Sequence, residues 1–65
     1  MTDPEIRAAA ERMTAEELER AVIAHHENER HALLAGDIDA ARDHAARKFL
    51  YLSVLDSRGI ANPLD

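Results

Sequence analysis

Glycine and proline, the residues that most often interrupt helices, are rare in this chain and stand only where a helix would begin or end. The 65 residues include two glycines, Gly36 and Gly59, and two prolines, Pro4 and Pro63. No segment shows the alternating apolar and polar pattern of a half-buried β-strand. We therefore predict an all-α protein whose helices end at the two glycines.

Capping residues mark the start of each predicted helix. Asp3 is suited to cap a short first helix, because Pro4 at the first helical position has no N–H to lose. Thr14 and Glu17 have the spacing of a capping box, which predicts the start of a second helix. Asp37 follows the glycine stop and is suited to cap a third. The predicted helices cover residues 4–12, 15–35 and 38–58, and residues 60–65 are expected to form an irregular tail.

The second and third predicted helices are separated only by Gly36 and Asp37. Helices of about 20 residues with so short a connection must pack as an antiparallel hairpin. The chain length supports one small domain, residues 1–65. The chain contains no cysteine, so regular helix packing and self-association are the remaining ways to stabilise so small a fold.

Large apolar side chains are spread over more helix faces than one hairpin partner can cover. At 100° per residue, the stripes expected to meet inside the hairpin are Leu18, Ala21, Val22, Ala32 and Leu33 on one helix and Ile38, Ala41, Ala45, Phe49 and Leu52 on the other. The first helix, a second subunit or both must cover the rest of the third helix. We predict a homodimer with a four-helix core. Its expected interface residues are Ile23, Leu34, Leu50, Tyr51, Val54 and Leu55.

Two polar residues, His25 and Glu29, interrupt the apolar face of the second helix. They lie one turn apart and are the candidate metal ligands of this sequence, in a site assembled across a dimer. The structural alternative, which we favour, pairs Glu29 with Arg42 and packs His25 against Phe49, while His44 is exposed. Burial as a neutral ring would lower the pKa of His25, whereas pairing with the Glu29 carboxylate would raise it.

Composition argues against several functional classes. Eight Lys and Arg against thirteen Asp and Glu give a net charge of −5, which disfavours nucleic-acid binding. No apolar run exceeds four residues, so we expect no membrane span and a cytoplasmic protein. We find no nucleophile motif and no phosphate-binding loop, and we expect neither catalysis nor a cofactor. The sequence favours a small acidic protein–protein interaction module that self-associates; the alternative is a metal-binding helical bundle with ligands His25 and Glu29.

Overall fold

The computed structural model describes residues 3–65, with side chains from residue 4 onward, and this part of the chain contains three helices and no strand. The helices are α1 (Asp3–Glu11), α2 (Ala15–Leu34) and α3 (Ile38–Ser57). The predicted all-α class and the α2–α3 hairpin are confirmed. Every helix end lies within one residue of its predicted position. The expected cap made by the Asp3 side chain lies outside the described residues.

The start of α2 is held by two reciprocal hydrogen bonds. The Glu17 N–H donates to Thr14 Oγ1 at 3.1 Å, and the Thr14 N–H donates to Glu17 Oε1 at 2.9 Å. The backbone and side-chain hydrogen bonds with Thr14 lower the pKa of Glu17, because they stabilise the carboxylate. Met13 and Leu18 flank the box and pack into the same core cluster. The predicted capping box is therefore confirmed.

The hairpin turn consists of Ala35, Gly36 and Asp37. Gly36 has a φ of +75°, which places it in the left-handed region that glycine adopts without strain. The Asp37 N–H donates to the carbonyl of Ala32 at 2.8 Å, the long hydrogen bond of a Schellman ending. The Asp37 carboxylate then accepts from the Ala40 N–H at 3.1 Å and caps α3. The turn thus ends one helix and starts the next within three residues.

The end of α3 follows the same pattern. Gly59 has a φ of +74°, and the Ile60 N–H donates to the carbonyl of Leu55 at 3.0 Å. The tail that follows is not helical, as expected. It nevertheless packs against the core through Ile60 and Leu64.

The apolar core lies at the open end of the hairpin, far from the turn. Its fully buried members are Ala10, Leu18, Val22, Val54 and Leu55. Helix α1 packs against α3 there, so α1 and the tail cover part of the apolar surface of α3 that the hairpin partner leaves open. Val54 and Leu55 are therefore covered within one chain and are not available as interface residues.

The seam between α2 and α3 differs from the predicted pair of stripes. Leu33, Ile38 and Phe49, expected inside the hairpin, are exposed. The inward-facing positions instead repeat at alternating three- and four-residue intervals, as in a coiled coil. They are Leu18, Val22, His25, Glu29 and Ala32 on α2 and Ala41, His44, Lys48, Tyr51 and Leu55 on α3.

Candidate functional site

Four polar side chains occupy the middle of the hairpin, between the apolar core and the turn. His25 and Glu29 come from α2, and His44 and Lys48 come from α3. We call these four residues the polar seam. Each pair of neighbours on a helix is separated by four residues, so both members point toward the opposite helix. The central positions of the seam therefore carry hydrogen bonds and charge where a coiled coil usually carries leucine.

The first cross-helix contact of the polar seam is an ion pair. Lys48 Nζ donates to Glu29 Oε1 at 2.5 Å, and the two side chains are only 10 % and 21 % exposed. Lys48 Nζ also lies 3.4 Å from His26 Nδ1 and 5.2 Å from the centre of the Phe49 ring. These neighbours offset part of the cost of burying the ammonium group.

The predicted pairing of Glu29 with Arg42 is wrong, because Arg42 lies on the exposed side of α3. Sequence reasoning also missed Lys48 as a buried residue. The signal that could have found it is its position, seven residues after Ala41 and seven before Leu55 on the same face.

The second cross-helix contact joins two imidazole rings. His25 Nδ1 and His44 Nδ1 are 2.9 Å apart, and the ring centres are 5.2 Å apart. The separation of the centres equals the N···N distance plus about one ring radius on each side, so the two nitrogens point straight at each other. Tyr51 stacks on His25 with a centre separation of 5.6 Å and an interplanar angle of 30°. The expectations that His25 packs against Phe49 and that His44 is exposed are both wrong.

This geometry limits how many protons the histidine pair can carry. One Nδ1 must donate and the other must accept, so only one proton lies on the line between them. Protonating both rings would direct two N–H groups at each other and place two positive charges in contact. The pKa of His25 is accordingly lowered by its burial, by the neighbouring His44 and by the charge of Arg47. Of the two directions weighed from the sequence, the structure supports the lower pKa, because Glu29 is paired with Lys48 instead.

A cavity of about 550 Å³ opens beside the histidine pair, between α1 and the hairpin. Its lining includes the histidine pair, the charged residues Asp43 and Arg47, and an apolar wall. The apolar lining residues are Ile6, Ala46 and Leu50. Of the described residues, ion pairs are formed by Arg7 with Glu11 and by Lys48 with Glu29, so half-buried Arg47 has no carboxylate partner in that part of the chain.

The candidate metal ligands His25 and Glu29 are each held by another side chain. The Nδ1 of His25 faces His44, and the Glu29 carboxylate faces Lys48. Within residues 3–65, no group of three or more His, Cys, Asp or Glu side chains is arranged to hold a metal ion. The Nδ1 atoms of His25 and His44 point at each other, so these two atoms are placed to share a proton and not to bind a common metal ion.

The six residues expected at a subunit interface fall into three groups. Val54 and Leu55 are buried in the core, and Leu50 and Tyr51 are half-buried beside it. Ile23 and Leu34 are exposed on the back of α2.

Comparison with protein-family models, with curated proteins and with solved structures finds no significant match. Among residues 3–65, no helix is both long enough and apolar enough to cross a membrane.

Proposed function

We propose that the protein is a small protein–protein interaction module that self-associates as a two-fold dimer and has no catalytic role of its own. The observation that carries this proposal is a row of exposed apolar side chains along one side of the hairpin. Leu33, Ile38 and Phe49 are 52 %, 51 % and 63 % exposed. We call these three residues the open flank.

The residues of the open flank share one side of the hairpin. Ile38 and Phe49 are 11 residues apart on α3, which is three helical turns. Leu33 lies seven residues after His26 on α2, and both His26 and Phe49 approach the ammonium of Lys48. Leu50 and Val54 point to the other side, toward α1. Both helices therefore contribute to an apolar surface that α1 leaves uncovered.

A second copy of the chain is the occupant that fits the open flank best. In a two-fold dimer the same patch meets itself, so one apolar row on each chain suffices to form a continuous contact. Packing two hairpins flank to flank would produce a four-helix core and bury the large apolar groups that a small domain leaves exposed. The back of α2 offers only Ile23 and Leu34 from a single helix, which makes it the weaker candidate surface.

Sedimentation equilibrium at micromolar concentration tests the proposal. We expect the wild-type chain to be a dimer and the Phe49→Asp variant to be a monomer with unchanged helical content. Leu34→Asp adds the same charge on the back of α2 and is expected to remain a dimer. A monomeric wild-type chain would contradict self-association, and a monomeric Leu34→Asp variant beside a dimeric Phe49→Asp variant would place the interface on the back of α2.

A further inference from the structure

Arg47 lines the cavity without a carboxylate partner among the described residues. It is half-buried and close enough to His25 for its charge to lower the pKa of that ring. The exposed carboxylate of Asp43 also lines the cavity, yet it forms no ion pair with Arg47 within 4.0 Å. A planar oxyanion entering the cavity would therefore meet an unpaired arginine, the side chain best suited to bind it through two parallel hydrogen bonds.

The histidine pair lies on the same cavity wall and can respond to such an anion. The titratable and charged groups near His25 are His44, Tyr51 and Arg47 on α3, with Asp43 in the same cavity lining. Glu29 on its own helix is paired with Lys48, and the cavity lining from α1 is Ile6. Arg47 opposes protonation of His25. An anion bound to Arg47 would offset that charge, so the pair would accept a proton from solvent more readily.

The rest of the cavity determines which anion fits. Ile6, Ala46 and Leu50 provide aliphatic surface next to the cationic end. The volume of about 550 Å³ lies within the range typical of small-molecule sites, about 300 to 1,000 Å³. A site with one charged end and an apolar wall discriminates against fully polar ions and against neutral apolar molecules.

We propose that the cavity between α1 and the hairpin binds a small monocarboxylate with an apolar body, and that one proton is taken up by the histidine pair on binding. The carboxylate lies against Arg47, and the body of the ligand packs on Ile6 and Leu50. This site is independent of the proposed dimer, because the open flank lies on the opposite side of the hairpin.

Calorimetric titration of the full chain with octanoate, octanol and inorganic phosphate tests the ligand class. We expect octanoate to bind with one site per chain and at least about tenfold more tightly than the other two probes. Titration in two buffers of different ionisation enthalpy is expected to show net proton uptake, and octanoate affinity should rise as the pH falls from about 8 to about 6.5. Four results would each overturn the proposal. They are a failure of octanoate to bind, binding of octanol as tight as that of octanoate, binding of phosphate as tight as that of octanoate, and a lack of proton uptake.

Two pairs of variants distinguish a specific loss of octanoate binding from a general effect on the fold. Arg47→Gln is expected to weaken octanoate binding at least about tenfold, whereas Arg42→Gln, which removes the same charge from an exposed position outside the cavity, should leave it unchanged. Ala46 and Ala24 are both exposed. Ala46→Leu adds bulk to the cavity wall, and Ala24→Leu adds the same bulk on α2 outside the cavity. We expect Ala46→Leu to abolish octanoate binding and Ala24→Leu to leave it unchanged. Unchanged binding in both Arg47→Gln and Ala46→Leu would overturn the assignment.

Discussion

Lys48 on α3 is buried and donates to Glu29 on α2 at 2.5 Å in the middle of the hairpin. The pair occupies seam positions that would otherwise take leucine. Since the Coulombic gain of such a pair roughly offsets the cost of removing both charges from water, we expect its main effect to be on the register in which α2 and α3 pair.

Removing one partner of the ion pair should lower stability more than replacing both partners with apolar residues. We expect Glu29→Gln to lower the free energy of unfolding by about 2 to 3 kcal/mol, because the Lys48 ammonium would remain buried without its counter-charge. The double variant Glu29→Leu with Lys48→Met should recover most or all of that loss. Urea denaturation monitored by helical circular dichroism measures both.

The exposed pair of Arg7 and Glu11 provides the matched control. Its side chains are 43 % and 57 % exposed at an N···O distance of 3.1 Å, so Glu11→Gln is expected to change stability by less than about 0.5 kcal/mol. Equal effects of Glu29→Gln and Glu11→Gln would show that burial of the Lys48 pair carries no energetic consequence.

The histidine pair should make stability depend on pH. The pKa of His25 is lowered in the folded chain from its ordinary value of 6.5, so the unfolded chain binds more protons as the pH falls below that value. This contribution to stability is therefore fully present above pH 6.5 and is lost as the pH falls through 6.5 toward the lower folded pKa. We expect a lower melting temperature at pH about 5.5 than at pH about 7.5.

Variants assign that pH dependence to the pair. His25→Ala should reduce the difference in melting temperature between the two pH values, whereas His31→Ala, at an exposed position on the same helix, should preserve it. If His25→Ala and His31→Ala keep the same difference as the wild type, the pair is not its source.

The capping box of α2 should have a measurable effect on stability. Thr14→Ala removes the hydroxyl that accepts from the Glu17 N–H and is expected to lower the free energy of unfolding by about 1 kcal/mol. Thr14→Ser keeps an acceptor at the same place and should stay close to the wild type. A Thr14→Ala variant as stable as Thr14→Ser would mean that water replaces the cap without cost.

Substitution of Gly36 should lower stability through its backbone conformation and not through steric contacts of the new side chain. A Cβ at this position would meet no atom within 4 Å, so Gly36→Ala carries no steric clash with neighbours. The φ of +75° is nevertheless unfavourable for an L-residue, and we expect a loss of about 1 kcal/mol. Gly36→Asn should lose less, because asparagine tolerates this conformation. Equal thermal stability of the wild type and Gly36→Ala would contradict this account.

The helices could be predicted from the sequence because their ends depend on local chemistry. Thr14 with Glu17 and the two glycine stops act on backbone groups a few residues away, and the structure places each helix end within one residue of expectation. The packing between helices depends instead on side chains far apart in the chain. A stripe drawn through apolar residues alone placed Phe49 inside the hairpin and gave Lys48 no role.

The candidate site was only partly visible in the sequence for the same reason. His25 and Glu29 stand out as polar residues on an apolar face, but their partners depend on the register of two antiparallel helices. Glu29 lies seven residues before Gly36 and Arg42 lies six after it, which favours Arg42 as its partner, whereas the seven-residue repeat brings Lys48 there. The cavity beside Arg47 depends on where α1 packs, and no local pattern determines that position.

The polar seam could also form between two copies of the chain. The contacts of His25 with His44 and of Glu29 with Lys48 join α2 to α3 through side chains alone, so the same contacts could form between helices of two copies of the chain. If the turn at Gly36 straightened, α3 of one copy could pack on α2 of another with the same four side chains in the same contacts. We therefore expect the seam to determine which helix surfaces pair, and the conformation of the turn around Gly36 to determine whether they pair within a chain or by domain exchange.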